Sequence, residues 1–118
     1  MKTRLATATI LAFALVPAAT AAAPTPARLQ VSGDEFSLAL SRASIRKGQA
    51  IIELVNYGED DHDLALRRIG GARTYRVGVV EPGQTGSLAA RFRPGRFTLW
   101  CTLADHRTRG MRATLTVR

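Results

Sequence analysis

Residues 95–118 read GRFTLWCTLADHRTRGMRATLTVR. Pro94-Gly95 turns the chain into a run in which Phe97, Leu99 and Cys101 alternate with Thr98 and Trp100, the period-two pattern of a strand with one face inward. A polar loop then leads to Met111, after which the alternation resumes with Leu115 and Val117 on one face. Within this stretch Cys101, His106 and Met111 follow one another as Cys-x4-His-x4-Met. The strand pattern points Cys101 inward with the apolar set.

The same short-strand rhythm recurs along the rest of the chain. Phe36, Leu38 and Leu40 alternate with Ser37, Ala39 and Ser41, and Lys47-Gly48 turns into the apolar run Ala50 to Val55. Asn56-Tyr57-Gly58 ends that run, and His62 to Leu66 offers a strand broken by Gly70-Gly71. Tyr75 to Val80 is stopped by Glu81-Pro82-Gly83, and Leu88, Ala90 and Phe92 alternate with polar or small neighbours. About seven to eight short strands separated by Pro/Gly turns define an all-β chain, a β-sandwich.

The amino terminus has another character. Lys2 and Arg4 precede an apolar run from Leu5 to Val16, then Pro17 and the alanine-rich segment Ala18 to Ala23. A basic start, a short apolar run and small residues form a secretory signal, with Ala-x-Ala patterns ending at Ala21 and Ala23. The run is shorter than the roughly 20 residues of a spanning helix. The expected division is a cleaved signal over 1–23, an N-terminal arm over 24–33 and one domain over 34–118. Export to the periplasm or the outside is expected, with no transmembrane segment in the mature chain.

The chain carries 17 basic and 9 acidic side chains. It remains basic without Lys2 and Arg4, which favours acidic partners. Nucleic acid is disfavoured by the export signal and by the lack of an RNP-type motif, zinc finger or helix-turn-helix pattern. The single cysteine excludes an internal disulfide. A lone thiol in an oxidising compartment is a liability unless buried, paired or ligated to a metal.

His62, at the start of another strand, completes a set with Cys101, His106 and Met111. A thiolate and two imidazoles with a weak axial thioether make a blue-copper electron-transfer site. Soft sulfur suits Cu(I) and imidazole accommodates Cu(II), so one compromise geometry limits rearrangement when an electron moves. Taken singly, a buried cysteine, a gap-filling methionine and two ordinary histidines would need no metal. Taken together, with both histidines of the chain recruited, they point to one ion. Zinc accepts Cys and two His, but a methionine has no purpose there.

The segment from Gly95 to His106, continuing to Gly110-Met111, resembles the C-terminal ligand loop of plastocyanin- and azurin-like cupredoxins, as does Asn56-Tyr57-Gly58 leading to His62. The four-residue gaps resemble the rusticyanin and auracyanin branch. The resemblance covers residues 34–118 and implies a Greek-key sandwich with type 1 copper at one end, a monomer that shuttles single electrons between redox proteins and is not an enzyme. It implies Cys101 as the thiolate ligand, His62 and His106 as Nδ1 ligands and Met111 as the axial ligand, with the Asp61 carbonyl on the opposite side. Thr102 resembles the hydroxyl residue that ties the ligand loops together. Asp63 stands where members commonly carry asparagine; it could accept the same backbone hydrogen bond, and its charge should favour Cu(II).

Trp100, pointing away from the core set, reads either as a groove aromatic or, by the resemblance, as a second electron route. Arg107, Arg109 and Arg112 form a basic rim near His106, serving solubility or the docking of an acidic redox partner. The other readings of the same residues are a copper carrier and a sandwich module that uses no metal.

Overall fold

The computed structural model describes residues 1–3 and 8–118. The expected export signal includes residues 4–7, which lie outside the described residues; the described part of the segment up to Pro26 has neither helix nor strand and is exposed. Among the described residues no helix is long and apolar enough to cross a membrane.

Nine strands follow: β1 (Ala27–Asp34), β2 (Ser37–Leu40), β3 (Ser44–Ile45), β4 (Gly48–Asn56), β5 (His62–Arg68), β6 (Thr74–Val80), β7 (Thr85–Phe92), β8 (Gly95–Trp100) and β9 (Arg112–Val117). They form two sheets, ordered β2-β1-β4-β7 and β3-β9-β8-β5-β6. The β1–β4 and β3–β9 pairs are parallel and the others antiparallel. The all-β sandwich read from the pattern is therefore present, with nine strands.

Two expectations are corrected. Of the expected arm over 24–33, only residues 24–26 lie ahead of the sandwich; from Ala27 on it is β1, an interior strand of the four-stranded sheet, with Leu29 and Val31 fully buried. Arg28 and Gln30 alternate with Leu29 and Val31 in the period of a half-buried strand, but the pattern is short and follows directly on the proline-containing leader Pro24 to Pro26. Phe36 is not a strand residue but stands in the turn between β1 and β2. The short strand β3 was not foreseen; two residues cannot display a period.

The core lies between the sheets. Leu29, Val31, Ile52 and Leu54 from one sheet face Leu64, Leu66, Leu99 and Leu115 from the other. An aromatic cluster fills one part of it, with Phe92 and Phe97 edge to face at 5.6 Å and Tyr75 4.6 Å from Phe92. Such pairs contribute about 0.5–1.5 kcal/mol beyond their burial.

The buried histidines and cysteine gather at one end by strand direction. β5 runs antiparallel to β8, with Ala65 opposite Trp100, so the start of β5 meets the end of β8. β9 runs antiparallel to β8, with Trp100 opposite Arg112, so the end of β8 also meets the start of β9. From the facing sheet, the turn between β1 and β2 reaches the same end.

Asn56 anchors the loop that leads to His62. It is fully buried, and its amide donates to the carbonyls of Asp60 (2.7 Å) and Val80 (2.9 Å) while its Oδ1 accepts from the Gly58 N–H (2.8 Å). A register shift between His62 and Leu64 against β6 breaks the alternation, so that His62, Asp63 and Leu64 are all buried. Asn56→Ala leaves buried backbone groups without partners and is expected to destabilise the metal-free domain by about 2–4 kcal/mol in urea unfolding. Asn56→Asp turns a carboxylate oxygen toward two carbonyls and should cost at least as much. A loss below about 0.5 kcal/mol for both variants, within the range of an ordinary surface change, would mean that Asn56 does not hold this loop.

Candidate metal centre

Three of the sequence-predicted residues converge on one buried point. His62 Nδ1 lies 3.3 Å from His106 Nδ1, and Cys101 Sγ lies 3.5 Å from His106 Nδ1. One ligand atom from each of His62, Cys101 and His106 falls within 4.8 Å of the others. Bonds like those of zinc to imidazole and thiolate, about 2.0–2.1 and 2.3 Å, span up to about 4.4 Å between nitrogen and sulfur, so the triad stands at or within a few tenths of an ångström of the spacing one ion needs. His62 and Cys101 are fully buried and His106 is 8% exposed, making His106 the imidazole nearest the surface.

Met111 belongs to the same end. It is fully buried, its carbonyl accepts from the Cys101 N–H (3.1 Å) and its N–H donates to the His106 carbonyl (3.0 Å). Its methyl and Cδ2 of the His62 ring stand 3.7 and 3.6 Å from where a Cβ on Gly33 would be. Gly33 therefore leaves room, where a side chain would stand, for both the Met111 methyl and the His62 ring edge.

The loops carrying these residues are tied together. Asp63 Oδ1 accepts from the Thr102 N–H at 2.6 Å, and Asp63 Oδ2 accepts from the Thr102 hydroxyl. Asp63 therefore makes the backbone bond expected of it, and Thr102 joins the two loops. Burial pushes the Cys101 thiol above its usual range, and the Asp63 charge adds to this. Backbone hydrogen bonds from Asp63 and Leu103 act in the opposite direction.

The sequence reading missed the turn between β1 and β2, which touches both imidazoles. Glu35 Oε1 lies 3.1 Å from His62 Nε2, and the Phe36 ring packs on His106 at 5.0 Å between centroids. The Glu35 carboxyl is held down to about 2, chiefly by the backbone N–H of Asp60, with that of Glu59 adding. Nothing local distinguishes Asp34-Glu35 from an ordinary solvated turn; the contact is made across 27 residues.

The rim expected around His106 is mixed in charge. Asp60 Oδ2 stands 3.9 Å from His106 Nε2. Arg109 lies over the Phe36 ring at 3.9 Å and pairs with Asp105 at 4.0 Å, both more than half exposed. Such an exposed pair contributes about 0–1 kcal/mol. On the Trp100 side, Arg107 stacks over the indole at 4.6 Å above a shallow cleft also lined by Arg67, Arg68 and Thr98, and among the described residues none of these three arginines pairs with a carboxylate.

No family model and no curated protein matches the chain. Solved structures do. Dithionite-reduced auracyanin from Roseiflexus castenholzii superposes with a TM-score of 0.63 at 15% identity, covering 77% of this chain and 96% of that one. Auracyanin B gives 0.63 at 20% identity, covering 82% and 93%. Amicyanin from Paracoccus versutus gives 0.55 at 17% identity, covering 76% and 80%. The chain has the cupredoxin fold. At one end of that sandwich, the buried triad of His62, Cys101 and His106 can ligate a single copper ion.

A thiol kept protonated in the metal-free protein must lose its proton when a metal binds. Apparent Cu(II) affinity is therefore expected to rise by up to about tenfold per pH unit from pH 6 to pH 8, read by competition with a chelator of known pH dependence. A pH-independent affinity would show that Cys101 is already a thiolate or is not a ligand.

Proposed function

We propose that the protein is an exported electron carrier, not an enzyme, that holds one copper ion through His62 Nδ1, Cys101 Sγ and His106 Nδ1, with the Met111 thioether as weak axial ligand. The observation that carries this reading is the convergence of two imidazole nitrogens and a thiol at one buried point, with Met111 buried at the same end of the sandwich. Copper bound there supplies a one-electron Cu(II)/Cu(I) couple. The chain's own residues do the rest. The pairing of β5, β8 and β9 sets the ligand spacing, and the Asp63–Thr102 bonds keep the loops from separating. The apolar residues Leu54, Leu64, Leu99 and Phe36 line the interior side of this end and help exclude water. His106, as the most exposed of the three, offers the shortest way to a partner.

The partner that fits is a redox protein with an acidic face. Among the described residues, the only arginine–carboxylate pair is Arg109 with Asp105. Arg67, Arg68 and Arg107 thus present uncompensated positive charge around Trp100, which directly precedes Cys101. Charges at such a rim act mainly on encounter rate.

Two outcomes test this reading. Titration of the reduced apoprotein with Cu(II) is expected to give a strong visible thiolate-to-copper band at one copper per chain, absent in Cys101→Ala and altered in Met111→Ala. A weak spectrum indifferent to Cys101 sinks the assignment. In stopped-flow oxidation of the Cu(I) form, an anionic complex such as hexacyanoferrate should gain several-fold in rate on lowering the salt, whereas a cationic cobalt complex should not. Arg67→Glu with Arg107→Glu should reduce the anionic gain; an unchanged salt dependence would place the docking surface elsewhere.

A further inference from the structure

Glu35 sits at the tip of the β1–β2 hairpin, in the sheet opposite the one that carries His62, Cys101 and Met111. Three donors converge on its Oε1: the Asp60 N–H at 2.7 Å, the Glu59 N–H at 2.9 Å and His62 Nε2 at 3.1 Å. The loop is shaped around the carboxylate, since a Cβ on Gly58 would collide with both of its oxygens. The Glu35 side chain is 23% exposed and that of His62 is not exposed at all. This is no loose surface pair: one partner is buried, and the other is held by two backbone donors.

The chemistry of the contact is directional. A carboxylate oxygen already accepting two N–H groups is an acceptor, so His62 Nε2 must carry the proton and donate it. The lone pair of the neutral ring is then on Nδ1, the atom that faces His106 Nδ1 at 3.3 Å. An imidazole whose far nitrogen donates to a carboxylate is a more basic ligand with a fixed ring plane. The negative charge behind it favours the more highly charged state of a bound ion.

We propose that Glu35 is the positioning residue of the metal centre: its carboxylate fixes His62 in the Nε2–H tautomer and biases bound copper toward Cu(II). The second half rests on the copper reading above; the first does not.

The test uses Glu35→Gln, which keeps an acceptor oxygen but loses the charge, Glu35→Ala, which loses both, and Glu59→Gln, which removes an exposed charge from the same loop. In long-range ¹H–¹⁵N spectra of the wild type, with and without diamagnetic Cu(I), His62 is expected to carry its proton on Nε2, in slow exchange with water. Glu35→Ala should lose that protection, and Cu(II) affinity should fall about 10–100-fold, the usual loss for removing a partner behind a metal ligand. Glu35→Gln should keep the visible band and the tautomer while the Cu(II)/Cu(I) preference drops about tenfold, a rise of about 59 mV in potential for one electron. Glu59→Gln gives the size of a purely long-range charge effect. A Glu35→Gln shift no larger than that of Glu59→Gln overturns the bias, and a His62 protonated on Nδ1 in the wild type overturns the positioning. A wild type without the thiolate band removes the copper reading and with it the bias, while the spectra still decide the tautomer.

Discussion

Burying two imidazoles and a thiol at one end of a small sandwich removes groups from water that each need a partner, at about 1–3 kcal/mol for every buried group left without one. The architecture at that end follows from this requirement. Among the described residues no buried side-chain nitrogen or oxygen is without a hydrogen-bond partner. His62 is satisfied from the opposite sheet by Glu35, His106 lies under Phe36 and beside Asp60, and the Cys101 backbone is bonded to Met111. The two Nδ1 atoms and the Cys101 thiol have one another as side-chain partners, and these are the atoms a metal ion would take.

Charge is arranged in two layers around this point. The carboxylate of Glu35 contacts the far nitrogen of His62, and that of Asp63, itself buried, bonds Thr102 next to Cys101. Arginines stand outside, around Trp100, where solvent and salt weaken their effect on the centre but leave them able to steer a partner. The basic balance of the whole chain therefore conceals an acidic inner shell. A reading from net charge alone concerns the docking surface, not the redox chemistry.

Much of this was legible in residues close together in the chain. The period-two run Phe97-Leu99-Cys101 places the thiol inward, and that side chain is fully buried. Cys101, His106 and Met111 belong to one loop, whose short span forces them to share a neighbourhood whatever the rest of the fold does. Leu115 and Val117 face the core as their alternation requires. β1 was less legible because its alternation is short and adjoins the proline-containing leader, and because its place inside the sheet comes from pairing with β4, about two dozen residues away.

By itself, then, the sequence determined the all-β character, the inward cysteine and the identity of the residues able to hold a metal, because side-chain period and short loops are local properties. Only the tertiary structure decided which carboxylate stands behind His62, which aromatic ring covers His106 and which arginines surround Trp100. Those contacts join residues from opposite sheets or from strands far apart in the chain. Sheet order and register bring them together, and neither is written in the spacing of the residues themselves.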